Sequence, residues 1–180
     1  MALCEREYRN AIGLFPTGVA VIVAQVANEV LAMTVNSIAS LSLAPTLIMF
    51  APGKHTRFAQ HLSELESFSI YILRREQQAL STYFAGGWKG ATAPPFRFVP
   101  AGNALRLEGA LVSLECNNPK LTEVGDHWMV IGEVVDLHRG IEPHAPLVFY
   151  KGRYSDIDSS QSAPAPDLAD AHDLPAHIWV

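Results

Sequence analysis

The 180-residue chain predicts a mainly β fold, an antiparallel barrel with a few short helices set into it. Residues 18–26 form a nearly unbroken β-branched and small run, as expected of a strand buried on both faces. Several further short apolar runs follow, separated by Gly and Asn turns. Two stretches at helical spacing, residues 56–65 and 76–84, interrupt them.

Taken in order, Tyr8, Ala11, Ile12 and Phe15 lie at helical spacing, so residues 5–15 read as a short amphipathic helix that stops at Pro16-Thr17-Gly18. Asn28-Glu29 is the turn of a hairpin from the 18–26 strand into residues 30–35. From Thr34 to Pro45, hydroxyl and amide side chains alternate with apolar ones. A strand here turns its polar groups one way and its apolar groups into a core, which suits the wall of a binding cleft. Residues 46–51 are the next strand, ending in Pro52-Gly53, with Lys54, Thr56 and Arg57 beyond it where a helix start and nearby cations favour an anion.

Residues 56–65 read as a helix capped by Thr56, with Phe58, Ala59, Leu62 and Leu65 on one face. A strand at 68–73 and a second helix at 76–84 follow, the helix turning Ala79, Leu80 and Phe84 inward. Residues 85–95 are dense in turn formers and lack periodicity, so they read as a loop, a lid carrying Trp88 and Lys89. The Gly-Gly-Trp-Lys-Gly run within it does not have dinucleotide-fingerprint spacing. Strands at 96–99, 105–107, 109–116 and 128–137 complete the barrel. After Tyr154 the chain turns rich in Ser, Ala and Pro, dividing it into a domain, 1–155, and a tail, 156–180.

Composition narrows the function classes. With 49% hydrophobic and 17% charged residues the chain is a folded one with a sizeable core. A net charge of −5 sets nucleic acid aside as a partner, because phosphate-backbone binding needs a basic face. Cys4 and Cys116 are far apart, offer no close-spaced pair for a metal, and read as two free thiols of a reducing cytoplasm. No secretory signal or apolar run of membrane length is visible. Neither H-E-x-x-H nor G-x-S-x-G occurs, which removes zinc-protease and serine-hydrolase chemistry. The expectation is a cytoplasmic protein without metal or membrane attachment.

Four blocks, in this order, resemble one family: Phe15-Pro16-Thr17-Gly18-Val19-Ala20-Val21; the Thr34 to Pro45 block with its Thr-Val-Asn-Ser core; Gly125-Asp126-His127 leading into Ile131-Gly132-Glu133-Val134; and Pro146-Leu147-Val148-Phe149-Tyr150 with Arg153-Tyr154. The family is the flavin reductases of the FMN-binding split-barrel type, the small partner of two-component flavin-dependent monooxygenases. The resemblance implies a homodimeric split barrel that moves a hydride from NADH, or NADPH, to FAD or FMN. FAD and NADH are the favoured pair. It further implies that reduced flavin passes to a separate oxygenase acting on an aromatic compound.

Residue by residue, the resemblance places the flavin against Thr34, Val35, Asn36, Ser37 and Ser40, and seats its phosphate on Ala51, Pro52, Gly53, Lys54, His55, Thr56 and Arg57. Pro16, Thr17, His127 and Tyr150 are implied nicotinamide contacts, with His127 the catalytic residue and a source of a proton for reduced flavin, since imidazole titrates near neutral pH. Each side chain also has a structural explanation: Thr56 a helix cap, Pro16 a helix stop, Thr17 a turn hydroxyl, His127 a hydrogen-bonded strand start, Tyr150 a core aromatic. Two other functions stay open, a flavin-binding protein without turnover and a reductase of another acceptor such as a corrinoid. NADH oxidation with added FAD separates the first, and a comparison of acceptors separates the second.

Overall fold

The computed structural model describes residues 3–101, 104–140 and 144–157, so all but the first two residues of the expected 156–180 tail lie outside the described residues. Helix α1 (Glu5–Ile12) leads into β1 (Thr17–Gly18), β2 (Ala20–Val26), β3 (Glu29–Val35), β4 (Ala39–Leu43) and β5 (Thr46–Phe50). Helix α2 (Arg57–Gln60) and a 3-10 turn (Leu62–Glu64) precede β6 (Ser67–Ile72). A second 3-10 turn (Arg75–Gln77) runs into α3 (Gln78–Phe84), followed by β7 (Phe98–Ala101) and β8 (Ala104–Leu107). The long hairpin of β9 (Val112–Val124) and β10 (His127–Arg139) then leads to β11 (Val148–Tyr150) and β12 (Arg153–Ser155).

Seven strands form one sheet in the order β3-β2-β6-β9-β10-β5-β4, every pair antiparallel. The sheet curls into a barrel: Leu31 and Val35 on the β3 edge share a core with Ile48 and Phe50 of β5, near the opposite edge. This matches the mainly β expectation. Strand β2 is buried on both faces, as its composition predicts. Ala20, Ile22, Ala24 and Val26 join the barrel core, while Val21 and Val23 face a second core with Tyr71, Leu80 and Leu107, against which α3 and β8 pack. Each large apolar side chain buried in this way stabilises the fold by about 1.5–3 kcal/mol.

Four local expectations change. The 56–65 helix is broken: α2 makes one turn, with Thr56 Oγ1 accepting the Ala59 N–H at 3.2 Å, and the chain opens at His61 (φ −110°, ψ 9°) before the 3-10 turn. So short a helix is not held by propensity. Burial of Phe58, Leu62 and Leu65 sets the path instead. In α3, Ala79 is exposed and Ser81 is buried in its place. Helix α1 buries nothing, and Tyr8, Ile12 and Phe15 are exposed at 58%, 55% and 70%. The 34–45 stretch is two strands, not one, and Leu41 and Leu43 of β4 lie exposed because no further layer among the described residues covers that sheet edge.

Strand β9 runs on through Asn117-Asn118-Pro119, where the sequence reads as a turn. The register shifts there, with Ile131 opposite Lys120 but Glu133 opposite Asn117, and Asn118 takes a φ of 53°. Turn-forming residues thus build a bulge inside a strand rather than ending it. Opposite the bulge, Gly132 lies under the Phe68 ring.

Both cysteines are free, Cys4 exposed and Cys116 buried. Burial pushes the Cys116 thiol up to about 12, which keeps it protonated and unreactive. A maleimide probe is therefore expected to label Cys4 in the native protein and to reach Cys116 only when denaturant is added, with mass spectrometry reporting one adduct and then two.

Candidate functional site

The cleft forms where β3 leaves the sheet. Ser37 makes that exit possible: its hydroxyl accepts the Ala51 N–H at 3.0 Å and donates to the Ala51 carbonyl at 3.2 Å, closing the barrel between the ends of β3 and β5. Ser37→Ala leaves both backbone groups of Ala51 without this partner, and is expected to lower stability by about 1–2 kcal/mol in urea titration.

One residue earlier, Asn36 is exposed and donates from Nδ2 to Thr17 Oγ1 at 3.3 Å. Asn36 lines two neighbouring cavities. The larger, about 300 Å³, has Pro16, Thr17, Ile38 and Ile72 in its wall. The smaller, about 160 Å³, is walled by Thr34, Val35, Ser81, Phe149 and Tyr154. The side-chain hydroxyl of Thr34 donates to the Ser81 carbonyl at 2.7 Å, and Ser81 Oγ meets Tyr154 OH at 2.9 Å, so α3 is locked to this wall.

Beyond Ala51 the chain continues as an extension of the β5–β10 pairing. The Trp128 N–H donates to the Pro52 carbonyl and the Lys54 N–H to the Asp126 carbonyl, both at 2.9 Å, and Gly53 bridges His127. Gly53 is buried between two imidazoles. A Cβ there would stand 2.9 Å from His55 Cε1 and 3.7 Å from His127 Nε2, so the glycine leaves the rings room above the backbone.

His127 is partly exposed, and its Nδ1 lies 2.7 Å from Asp126 Oδ1. The carboxylate orients the ring and leaves Nε2 toward Gly53. The hydrogen bond from His127 and its charge hold the Asp126 carboxyl below the usual carboxylate range. Because that pKa is depressed, the carboxylate's side of the contact is in place above the ordinary carboxylate pKa and is lost as pH falls through the lowered value.

The cations are held at the surface. Lys54 Nζ pairs with Glu123 at 3.1 Å and sits 5.8 Å from the Trp128 ring centre, and Arg57 pairs with Glu29. Exposed pairs of this kind are worth about 0–1 kcal/mol, so a phosphate can take over either cation at little cost. Thr56 is occupied locally, donating to the Gly53 carbonyl at 2.8 Å while capping α2.

The structure joins several of the sequence-expected residues in three contacts: Thr17 to Asn36, Ser37 to Ala51, and Gly53 to His127. Tyr150 is half-buried at the end of β11, whose Phe149 pairs with Thr17, and Lys151 Nζ stands 5.1 Å from its ring centre. Ser40 is exposed on β4, opposite Ile48. Ile38, Ser81 and Tyr154 were not among the expected contacts. Tyr154 ends one of the four resembling blocks, whereas Ser81 gives no signal beyond being a small residue in a helix.

This donor set fits a flavin: apolar walls for a planar ring, an amide and hydroxyls at its edge, and releasable cations for a phosphate. The barrel and its cleft define a flavin reductase of the split-barrel type. Residues 12–158 match the family described as flavin reductase like domain, and the chain belongs to that family. It is 32% identical over 155 residues to the NADH-dependent FMN reductase AsuE2 of Streptomyces nodosus subsp. asukaensis, covering 84% of each chain. To the reductase component of 4-hydroxyphenylacetate 3-monooxygenase from Thermus thermophilus it is 33% identical over 147 residues, covering 82% of this chain and 93% of the relative. Among solved structures, the Streptomyces globisporus NADH:FAD oxidoreductase SgcE6, in complex with NAD and FAD fragments, superposes with a TM-score of 0.78 at 28% identity, covering 90% of this chain and all of that one (100%).

Proposed function

We propose that the chain is an NADH:flavin oxidoreductase that reduces FAD or FMN and supplies the reduced flavin to a partner oxygenase acting on an aromatic compound. The observation that carries this reading is the set of contacts from Thr17 to Asn36, from Ser37 to Ala51 and from Gly53 to His127. The Streptomyces and Thermus relatives support the cofactor pair and the oxygenase partner.

Flavin supplies, when bound, a two-electron acceptor for the hydride of a dihydronicotinamide. The chain's own residues hold and orient. Thr34, Val35, Asn36, Ser37 and Ser40 would hold the ring edge and side chain, partly through backbone groups, since the Thr34 and Ser37 hydroxyls already bond Ser81 and Ala51. Lys54 and Arg57, with His55, Thr56 and the Ala51-Pro52-Gly53 backbone, seat the phosphate. Pro16, Thr17 and Tyr150 would flank the nicotinamide and His127 Nε2 would hydrogen-bond it, an orientation worth several kcal/mol of barrier. Asp126 fixes that ring.

The working unit is a homodimer in the cytoplasm. Leu14, Phe15, Leu41 and Leu43 are exposed at 57%, 70%, 40% and 67%, apolar side chains that a second copy would cover. Two free thiols agree with a reducing compartment, and no helix among the described residues is long and apolar enough to cross a membrane.

The test is steady-state oxidation of NADH at 340 nm with FAD, FMN and a corrinoid as acceptors. Turnover with either flavin and none with the corrinoid is expected. Tight flavin binding without oxidation removes the enzyme reading.

A further inference from the structure

A separate cavity of about 500 Å³ opens at the C-terminal end of β6 and shares no lining residue with the two cavities at Asn36. Two guanidinium groups, Arg74 and Arg106, and two imidazoles, His138 and His144, line it against one carboxylate, Glu108, with Leu107 among its apolar residues.

Arg74 is held firmly. Its backbone N–H donates to Gln77 Oε1 at 3.1 Å, and the residue bridges Pro146. Its guanidinium lies along Gly109, where φ is +76° and a Cβ would stand 3.2 Å from Nη2. Nη1 meets His144 Nε2 at 3.1 Å. Because a guanidinium only donates, the imidazole accepts there. The Nε atom is buried and has no hydrogen-bond acceptor among the described residues. Glu76 stands 3.9 Å away, beyond hydrogen-bond reach.

The Nε atom has almost no accessible surface, so what a ligand in the cavity meets is the rest of the Arg74 guanidinium, together with that of Arg106. Arginine forks match the geometry of phosphate oxygens, and a second arginine in the same wall adds charge where the oxyanion would sit. The cavity's size is that of a small-molecule pocket. We propose that it is an oxyanion site for a phosphate group, free or carried on a small ester, with Arg74 and Arg106 holding the phosphate. An organic part would lie against Val99, with Glu108 in the same wall to accept from a hydroxyl. This proposal does not rest on the reading of the flavin cleft.

The test is calorimetric titration of the full chain, saturated with FAD, with adenosine 5′-monophosphate, inorganic phosphate and adenosine at one ionic strength. Arg74→Lys and Arg106→Ala are titrated in parallel, with thermal melts to check that each folds. Adenosine 5′-monophosphate is expected to bind wild type at least tenfold more tightly than either variant, and adenosine not at all, while NADH oxidation with FAD stays unchanged in both variants. Inorganic phosphate binding as tightly as the ester, and weakened equally by the variants, supports a site for free phosphate. Equal affinity of wild type and both variants, or adenosine binding as tightly as its monophosphate, overturns the proposal.

Discussion

His127→Ala is expected to lower kcat/KM for NADH by about 100-fold, a loss of about 2.7 kcal/mol of transition-state stabilisation. The ring stands at the start of β10 with Nδ1 2.7 Å from Asp126 and Nε2 over Gly53, so it contributes position rather than packing. Flavin affinity should change by less than about threefold, because the proposed phosphate and ring contacts come from other residues, and melting temperature should hold, since surface substitutions usually stay within about 0.5 kcal/mol. Asp126→Asn keeps the ring but weakens its tether, and should fall between wild type and His127→Ala. Stopped-flow reduction of flavin by NADH reads all three. Unchanged kcat/KM with a lowered melting temperature would mean that His127 merely ends a hairpin.

Gly132→Ala should have the largest effect on stability. A Cβ at this position would meet Phe68 Cζ at 2.5 Å and Cys116 Cβ at 3.0 Å. Phe68 cannot swing aside, because it is 2% exposed and packs edge-on against Phe50 with ring centres 5.1 Å apart. Overpacking of this kind costs about 3 kcal/mol, or about 6–12 °C in melting temperature for a domain of this size. Gly18→Ala, where a Cβ meets nothing within 4 Å, is the control and should change stability by less than about 0.5 kcal/mol. Phe68→Leu combined with Gly132→Ala should recover part of the loss, since the two sites touch.

The strands were legible where composition alone determines burial. The β2 run was readable because its short length and β-branched residues favour a strand buried on both faces over a buried helix. The bulge at Asn118 was not legible. Asn-Asn-Pro is a turn signal locally, and only the pairing of β9 with β10 and the room at Gly132 convert it into a continuing strand. The expected nicotinamide and flavin residues came from the resemblance, and the structure joins several of them by hydrogen bonds that no periodicity could reveal, such as Asn36 to Thr17. The part of Ser81 was hidden for a related reason. A serine in a short helix becomes part of the cleft wall only because Thr34 and Tyr154, far away in sequence, close on it. The exposed apolar groups of α1 and β4 show the opposite case, a pattern that reads as core but has no covering layer among the described residues.

The most direct measurement is a crystal structure of the protein grown with FAD and NAD. The isoalloxazine is expected against Asn36 and Ser37, its first phosphate at Lys54 or Arg57, and the nicotinamide stacked on the flavin within hydrogen-bond reach of His127 Nε2. A flavin bound elsewhere, or a cleft at Asn36 filled by the protein's own side chains in every protomer, would contradict that placement.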